Sequence, residues 1–225
     1  MSLLYIVATP IGNLKDISLR ALEILKGVNL ILCEDTRVTQ KLLQHYQIKT
    51  PTLSYHEHSK LKKIDYILEL LKKGKNLALV SDAGTPGISD PGGKLLNIIA
   101  TRTGLVAEIV SVPGPSALTA AASVSGFPMN KFLFLGFPPA KRKRKKFFEE
   151  IAISKYPVIF YESPYRIIKT LKELSSLSGN REVVICRELT KKFETIYRGK
   201  IEEVIREIEK DEIKGEFVVI VGRTQ

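Results

Sequence analysis

The chain has 225 residues, 44% of them hydrophobic, with 35 Lys and Arg against 24 Asp and Glu for a formal charge of +11. That length suits one large or two small domains. No apolar run is long enough to span a bilayer, and Met1-Ser2-Leu3-Leu4 lacks the basic segment of a signal peptide, so a cytoplasmic chain without membrane attachment is expected. Cys33 and Cys186 lie far apart in apolar runs without metal-ligand spacing, which excludes a disulfide framework and predicts buried free thiols.

In chain order, strands and helices alternate through the first half. Leu3–Val7 reads as a strand, followed by the turn Ala8-Thr9-Pro10-Ile11-Gly12-Asn13. Asp16 or Ser18 then caps a helix carrying Leu19, Leu22, Ile24 and Leu25. Leu30–Cys33 is a second strand, ending in Glu34-Asp35-Thr36-Arg37, and Val38, Leu42, Leu43 and Tyr46 recur at helical spacing. A short strand at Thr52–Tyr55 leads into His56-Glu57-His58 and a helix lined by Leu61, Ile64, Leu68 and Leu71. The apolar run Leu77–Val80 then enters Ser81-Asp82-Ala83-Gly84-Thr85-Pro86-Gly87-Ile88-Ser89-Asp90-Pro91-Gly92-Gly93, with Asp90 and Pro91 opening the next helix. Ile109–Val112 follows, then Pro113-Gly114-Pro115-Ser116 and the small-residue helix Ala117–Ser123. Repeated βα units argue for a mostly parallel sheet covered by helices.

Ser125-Gly126-Phe127-Pro128 reads as a joint, dividing an N-terminal α/β domain, 1–126, from a C-terminal one, 127–225. Strands are expected at Phe132–Leu135, Val158–Tyr161, Val183–Cys186 and Phe217–Val221. Helices are expected around Ile167–Leu174 and Ile201–Ile208. The run Lys141-Arg142-Lys143-Arg144-Lys145-Lys146 is unbroken, and the overall basicity is compatible with a polyanionic partner.

Four glycines and two carboxylates at the carboxyl end of a strand occupy the position where open α/β sheets bind ligands. Two nucleotide readings fail. A P-loop needs Lys followed by Ser or Thr, whereas Gly93-Lys94 precedes Leu95. The dinucleotide fingerprint needs a Gly-x-Gly pair, and after Gly84 the next glycine is Gly87.

The motifs Ala8–Asn13, Glu34–Arg37, His56–His58, Ser81–Gly92, Val112–Ala117, Phe160–Pro164 and Arg187–Lys191 together resemble the tetrapyrrole-methylase superfamily, over essentially the whole chain and in order. Within it they are similar to the branch that methylates a cytidine ribose of small-subunit ribosomal RNA. The resemblance implies two α/β lobes with S-adenosyl-methionine in the cleft between them, and a homodimer. It implies as substrate the 2′-hydroxyl of cytidine 1402 of 16S rRNA, in the decoding centre of the small ribosomal subunit. Cofactor contacts carry over onto Pro10, Ser81, Asp82, Thr85, Ser116 and Ala117, and in the second lobe onto Tyr161, Glu162 and Leu189.

The residues themselves fit such chemistry. Methyl transfer is an in-line displacement that needs positioning and exclusion of water. A ribose hydroxyl is a weak nucleophile that benefits from a proton acceptor. Glu34 is the preferred base; Asp35, His56, Glu57, His58, Glu162 and Glu188 also stand at strand ends. Each has a plainer reading. Asp35 suits a helix cap, Glu162 and Arg166 suit an ion pair one turn apart, and His56 with His58 suits a metal pair only weakly. No metal is expected. Lys141–Lys146, with Arg37, Arg166 and Arg187, is the candidate RNA surface, although such a run also serves as a solvated face. Two other readings stay open: a methylase of a small tetrapyrrole-like metabolite, and a non-catalytic RNA-binding assembly protein.

Overall fold

The computed structural model describes residues 2–56, 61–90, 92–101 and 107–223. They divide into two compact units, Met1–Ser116 and Ala117–Gln225.

The first unit contains β1 (Ser2–Val7), α1 (Leu19–Gly27), β2 (Leu30–Cys33), α2 (Thr36–His45), β3 (Thr52–Ser54), α3 (Leu61–Lys72), β4 (Leu77–Leu79), α4 (Gly92–Thr101) and β5 (Ala107–Val112). Its strands are all parallel, in the order β3-β2-β4-β1-β5. The side-chain alternation of a strand sends Val7, Ile31, Cys33 and Ala78 to one face, where Ala21, Leu25, Leu42 and Leu43 of α1 and α2 cover them. Leu4, Ile6, Leu32 and Leu77 go to the other face, under Ile64, Leu68, Leu95 and Ile99 of α3 and α4. Burial on both faces explains why these strands read as continuous apolar runs. Ser18, not Asp16, caps α1, its hydroxyl accepting from the Ala21 N–H at 3.1 Å. Asp16 instead sits in a short 3-10 turn, Leu14–Asp16, capped by Asn13.

The second unit contains α5 (Ala117–Val124), β6 (Leu133–Phe134), α6 (Arg144–Ala152), β7 (Val158–Glu162), α7 (Ile167–Ser178), β8 (Glu182–Arg187), β9 (Thr195–Lys200), α8 (Ile201–Ile208) and β10 (Phe217–Val221). Its sheet runs β6-β7-β10-β8-β9, parallel at β6–β7 and antiparallel elsewhere. Residues of α6, α7 and α8 cover one face. β9 escaped the sequence reading because Thr195-Ile196-Tyr197-Arg198-Gly199-Lys200 buries only Tyr197 and ends in glycine and lysine.

The units part at Ser116/Ala117, not at the Ser125–Pro128 joint expected from sequence. The physical reason is α5. It packs on β10 and β7, and Arg198 of β9 donates to the Val124 and Ser125 carbonyls at its end, at 2.6 and 3.1 Å. The Tyr161 hydroxyl of β7 also accepts a hydrogen bond from the backbone of Leu118. Cys33 and Cys186 are buried free thiols, and burial pushes the Cys186 thiol up to about 11. Among the described residues no helix is long and apolar enough to cross a membrane.

Candidate active site

Because the first sheet is parallel, the carboxyl ends of β1, β2, β4 and β5 share one edge, and the loops leaving them are tied together there. Thr9 and Gly84 exchange both backbone hydrogen bonds, at 2.9 and 3.0 Å. The Thr9 hydroxyl donates to Ser81 O at 3.2 Å, the Ser81 hydroxyl to Ala83 O at 3.1 Å, and the Thr85 hydroxyl to Pro115 O at 3.1 Å. Gly84 holds φ at +81°, a conformation that L side chains rarely adopt. At Gly114 a Cβ would stand 3.1 Å from the Ala8 Cβ, so glycine there lets the two loops meet closely without either giving way. The Asp90 carboxylate accepts from Gly87 N at 2.7 and 2.8 Å and from Gly92 N at 2.8 Å, which closes the glycine loop and caps α4. Pro91, expected beside it, lies outside the described residues.

Ser81 and Thr85 therefore spend their hydroxyl protons on the loop's own shape. Thr9 and Gly114 belong to the same construction, and the sequence reading did not single them out. Their signal was the company of prolines and glycines at strand ends.

The edge is acidic. Asp82 is exposed and accepts from the Asp35 N–H at 3.0 Å, joining the β4 and β2 loops. Asp35 caps α2 by accepting from Arg37 N at 2.8 Å and also grips the Arg37 guanidinium, 2.6 Å at the closest pair. These bonds from Arg37 hold its carboxyl down at about 2. The plainer reading of Asp35, a helix cap, is the one the geometry has. Glu34 is different. Half-buried, it is pushed up to about 7, first by burial and then by the charges of Asp82 and Asp90. It is thus a carboxylate with the proton affinity of an imidazole, which is what a general base at neutral pH requires.

Pro10 is half-buried beside Thr9, Ser116 ends the first unit, and Ala117 opens α5 in the second. His56 is exposed; Glu57 and His58 lie outside the described residues. Among the described residues no group of three or more His, Cys, Asp or Glu is placed to hold a metal ion.

In the second unit, Tyr161 is half-buried against Phe134 and Phe137, with ring centroids 5.0 and 5.4 Å away. Leu189 is buried between Glu188 and Thr190, both in the left-handed region at φ 52° and 64°. Burial raises the Glu188 carboxyl, but the Lys191 ammonium and the Glu216 N–H outweigh it and leave the group below its ordinary value. Arg187 donates from Nε to Lys214 O at 2.9 Å.

Glu162 and Arg166 form the ion pair one turn apart that the sequence offered as their plainer reading, and Arg144 departs from its exposed neighbours. Glu162 is 2% exposed; it accepts from Ser163 N at 2.7 Å, from Arg166 at 2.7 Å and from the Thr170 hydroxyl at 2.6 Å. Arg144 is itself buried, donating to Glu173 at 2.6 Å, Thr170 at 2.7 Å and Pro139 O at 3.1 Å. Arg166 adds a bond to Pro138 O at 3.1 Å. This chain of bonds from Glu173 to Arg166 locks α6 and α7 to β7. Arg144 is therefore buried where the rest of the basic run is exposed, and the Glu162 carboxylate is bonded within the unit. Lys141, Arg142, Lys143, Lys145 and Lys146 are exposed. Thr170, the hub of the network, went unnoticed, though a polar residue on the apolar stripe of Ile167, Leu171 and Leu174 was a visible signal.

Replacing Asp82 with Ala is expected to weaken ligand binding at this edge about tenfold or more and to free the Asp35 N–H. Asp82→Asn keeps the acceptor and loses only the charge. Titration calorimetry of both variants separates the two contributions, and equal wild-type affinity in both would remove Asp82 from the site.

Residues 3–205 match the family model for tetrapyrrole (corrin/porphyrin) methylases. The chain is 48% identical over 222 residues to the ribosomal RNA small subunit methyltransferase I of Thermotoga maritima, covering 99% of both chains. It is 46% identical over 222 residues to the protein of the same name from Bacillus subtilis, covering 98% of this chain and 75% of that one. Among solved structures, a cobalt precorrin-4 methyltransferase of cobalamin biosynthesis aligns with a TM-score of 0.72 at 20% identity, covering 98% of this chain and 94% of that one. The uroporphyrin-III C-methyltransferase of Thermus thermophilus aligns with a TM-score of 0.67 at 14% identity, covering 98% and 94%. The first two relatives, matched from end to end of this chain, place it: it belongs to the tetrapyrrole (corrin/porphyrin) methylase family and is an S-adenosyl-methionine-dependent methyltransferase.

Proposed function

We propose that the chain methylates ribosomal RNA of the small subunit, transferring the methyl group to the 2′-hydroxyl of a cytidine, cytidine 1402 of 16S rRNA, and that it acts as a homodimer in the cytoplasm. The observation that carries the reading is identity of 46–48% with enzymes named for small-subunit rRNA over nearly all of this chain. Relatives named for small tetrapyrroles share only the fold, at 14–20% identity.

S-adenosyl-methionine supplies a methyl group on a sulfonium, an electrophile that needs no further activation. Its sulfonium and ammonium charges suit an edge bearing Glu34, Asp82 and Asp90, and the Gly84 and Gly114 turns bring backbone close without side-chain obstruction. Pro10, Ser81, Asp82, Thr85 and Ser116 of the first unit would hold it, with Ala117, Tyr161 and Leu189 of the second. Glu34 accepts the proton of the attacking hydroxyl. The exposed residues of Lys141–Lys146, with Arg37 and Arg187, bind phosphates without regard to sequence. The 87% exposure of the Arg37 side chain leaves it free to reach a phosphate even while paired with Asp35.

Incubation with methyl-labelled S-adenosyl-methionine tests the reading. Label is expected in assembled small subunits or in naked 16S rRNA, located by digestion to a 2′-O-methylcytidine. Label in neither RNA but in a tetrapyrrole would replace this reading with the metabolite methylase. RNA binding without any label would leave the assembly protein. Sedimentation of the purified chain checks the dimer.

A further inference from the structure

The second sheet has two edges, and the residues discussed so far stand on one. Tyr161, Glu162, Arg187 and Leu189 lie at or beyond the carboxyl ends of β7 and β8. The pairs Val158–Val221, Val221–Val183 and Glu182–Lys200 define the opposite edge, roughly 15 Å away at the rise of a β-strand. A pocket of about 530 Å³ opens on that far edge, and Phe127, Pro128, Arg181, Glu182, Lys200 and Arg223 are among its walls.

Arg181 is the unusual member. Its Nη1 donates to Ile151 O at 2.9 Å and its Nη2 to Gly222 O. Its Nε is buried with no partner, the sole such side-chain atom among the described residues. Among the described residues no carboxylate pairs with it either, and burial pulls its guanidinium down. A guanidinium has five N–H donors, and surrounding it with neutral carbonyls leaves its charge uncompensated. Arg144 in the same unit shows the usual solution, a carboxylate on Nε.

The other walls add to the imbalance. Lys200 and Arg223 contribute two more cations, against the single carboxylate of Glu182, which stands 3.8 Å from the Lys200 Nζ. Asn180 uses its oxygen on Glu202 N at 3.2 Å, which leaves its amide N–H groups as donors. On the apolar side the Phe127 ring lies over Gly222, 3.3 Å from where a Cβ would stand, with Pro128 and Pro157 beside it. Cations and a donor amide beside a flat aromatic wall are what a nucleotide needs, phosphate on one side and base on the other.

We propose that this far-edge pocket binds one nucleotide of the RNA substrate, with phosphate against Arg181, Lys200 and Arg223 and base against Phe127. It anchors RNA on the edge of the second sheet opposite Tyr161 and Leu189. The proposal rests on RNA being the substrate, so its test has a part that does not depend on methyl transfer.

The variant is Lys200→Gln with Arg223→Gln, which leaves the Arg181 carbonyl bonds intact; an unchanged Tm verifies the fold. The probe is a fluorescein-labelled single-stranded RNA of about ten nucleotides, followed by fluorescence anisotropy with the full chain. Affinity is expected to fall about tenfold, and the slope of log Kd against log salt by about one to two. Unchanged affinity and slope overturn the proposal. So does a pocket that takes inorganic phosphate in the wild type and not in the variant while RNA binds both equally. In the methyl-label assay the variant is expected to raise KM for small subunits more than it lowers kcat. Wild-type protein that labels no RNA overturns the proposed function, and the anisotropy result then decides the pocket by itself.

Discussion

Glu34→Gln is expected to lower kcat for methyl transfer by about a hundred- to ten-thousandfold, the span of general-base catalysis. A ribose hydroxyl attacks a sulfonium methyl slowly unless its proton is taken as the bond forms, and the Glu34 carboxyl at this edge is held at about 7. In the wild type kcat/KM should therefore rise with pH to a plateau, with a midpoint at about 7, and the glutamine variant should lose that limb. A cation bound at the acidic edge favours the ionised carboxylate, so the limb in kcat should lie at lower pH than the limb in kcat/KM for the cofactor.

The same substitution has an opposite signature in stability. Glu34 moves from an ordinary 4.5 to about 7 on folding, so the folded state binds its proton more tightly than the unfolded chain. Stability then falls as pH rises from about 4.5 to about 7 and is flat above. Because the side chain is only half-buried, the gain from Glu34→Gln at pH 8 is about 1 kcal/mol, well below what the full shift implies. A more stable and nearly inactive variant is the expected pair of results, read by denaturant unfolding and by single-turnover kinetics. An active variant would move the base to another residue.

Arg144→Ala is expected to destabilise the second unit by about 3 kcal/mol, the cost of breaking one partner out of a buried pair. The guanidinium bridges Glu173 and Thr170, and Thr170 in turn donates to the fully buried Glu162. Arg144→Lys should recover little, since an ammonium cannot reach Glu173, Thr170 and Pro139 O as a planar fork does. Alanine at Lys141, Arg142, Lys143, Lys145 and Lys146 should instead cost under about 0.5 kcal/mol each, while weakening RNA binding and flattening its salt dependence. Thermal melts and anisotropy titrations of the two sets of variants give that contrast directly. A stable Arg144→Ala protein with weakened RNA binding would return the residue to the RNA surface.

Much of this molecule was legible without coordinates. Apolar runs buried on both faces of a parallel sheet are bound to read as strands, and the helices between them carry their stripe at a spacing that needs no partner to be seen. The glycine- and proline-rich strand ends stood out for the same reason, as local backbone chemistry. Glu34 was visible as a carboxylate at such an end. Its elevated proton affinity was not, because that depends on burial and on Asp82 and Asp90, which arrive from the loop after β4. The tertiary structure also divided six consecutive basic residues into five exposed ones and the buried Arg144, because Arg144 points from the start of α6 onto Glu173 and Thr170 of α7. It moved the unit boundary to Ser116, since α5 belongs to whatever it packs against, and no residue within it names β7 and β10. Sequence determines what each segment can be; the charge, burial and company of a side chain are set by residues far away in the chain.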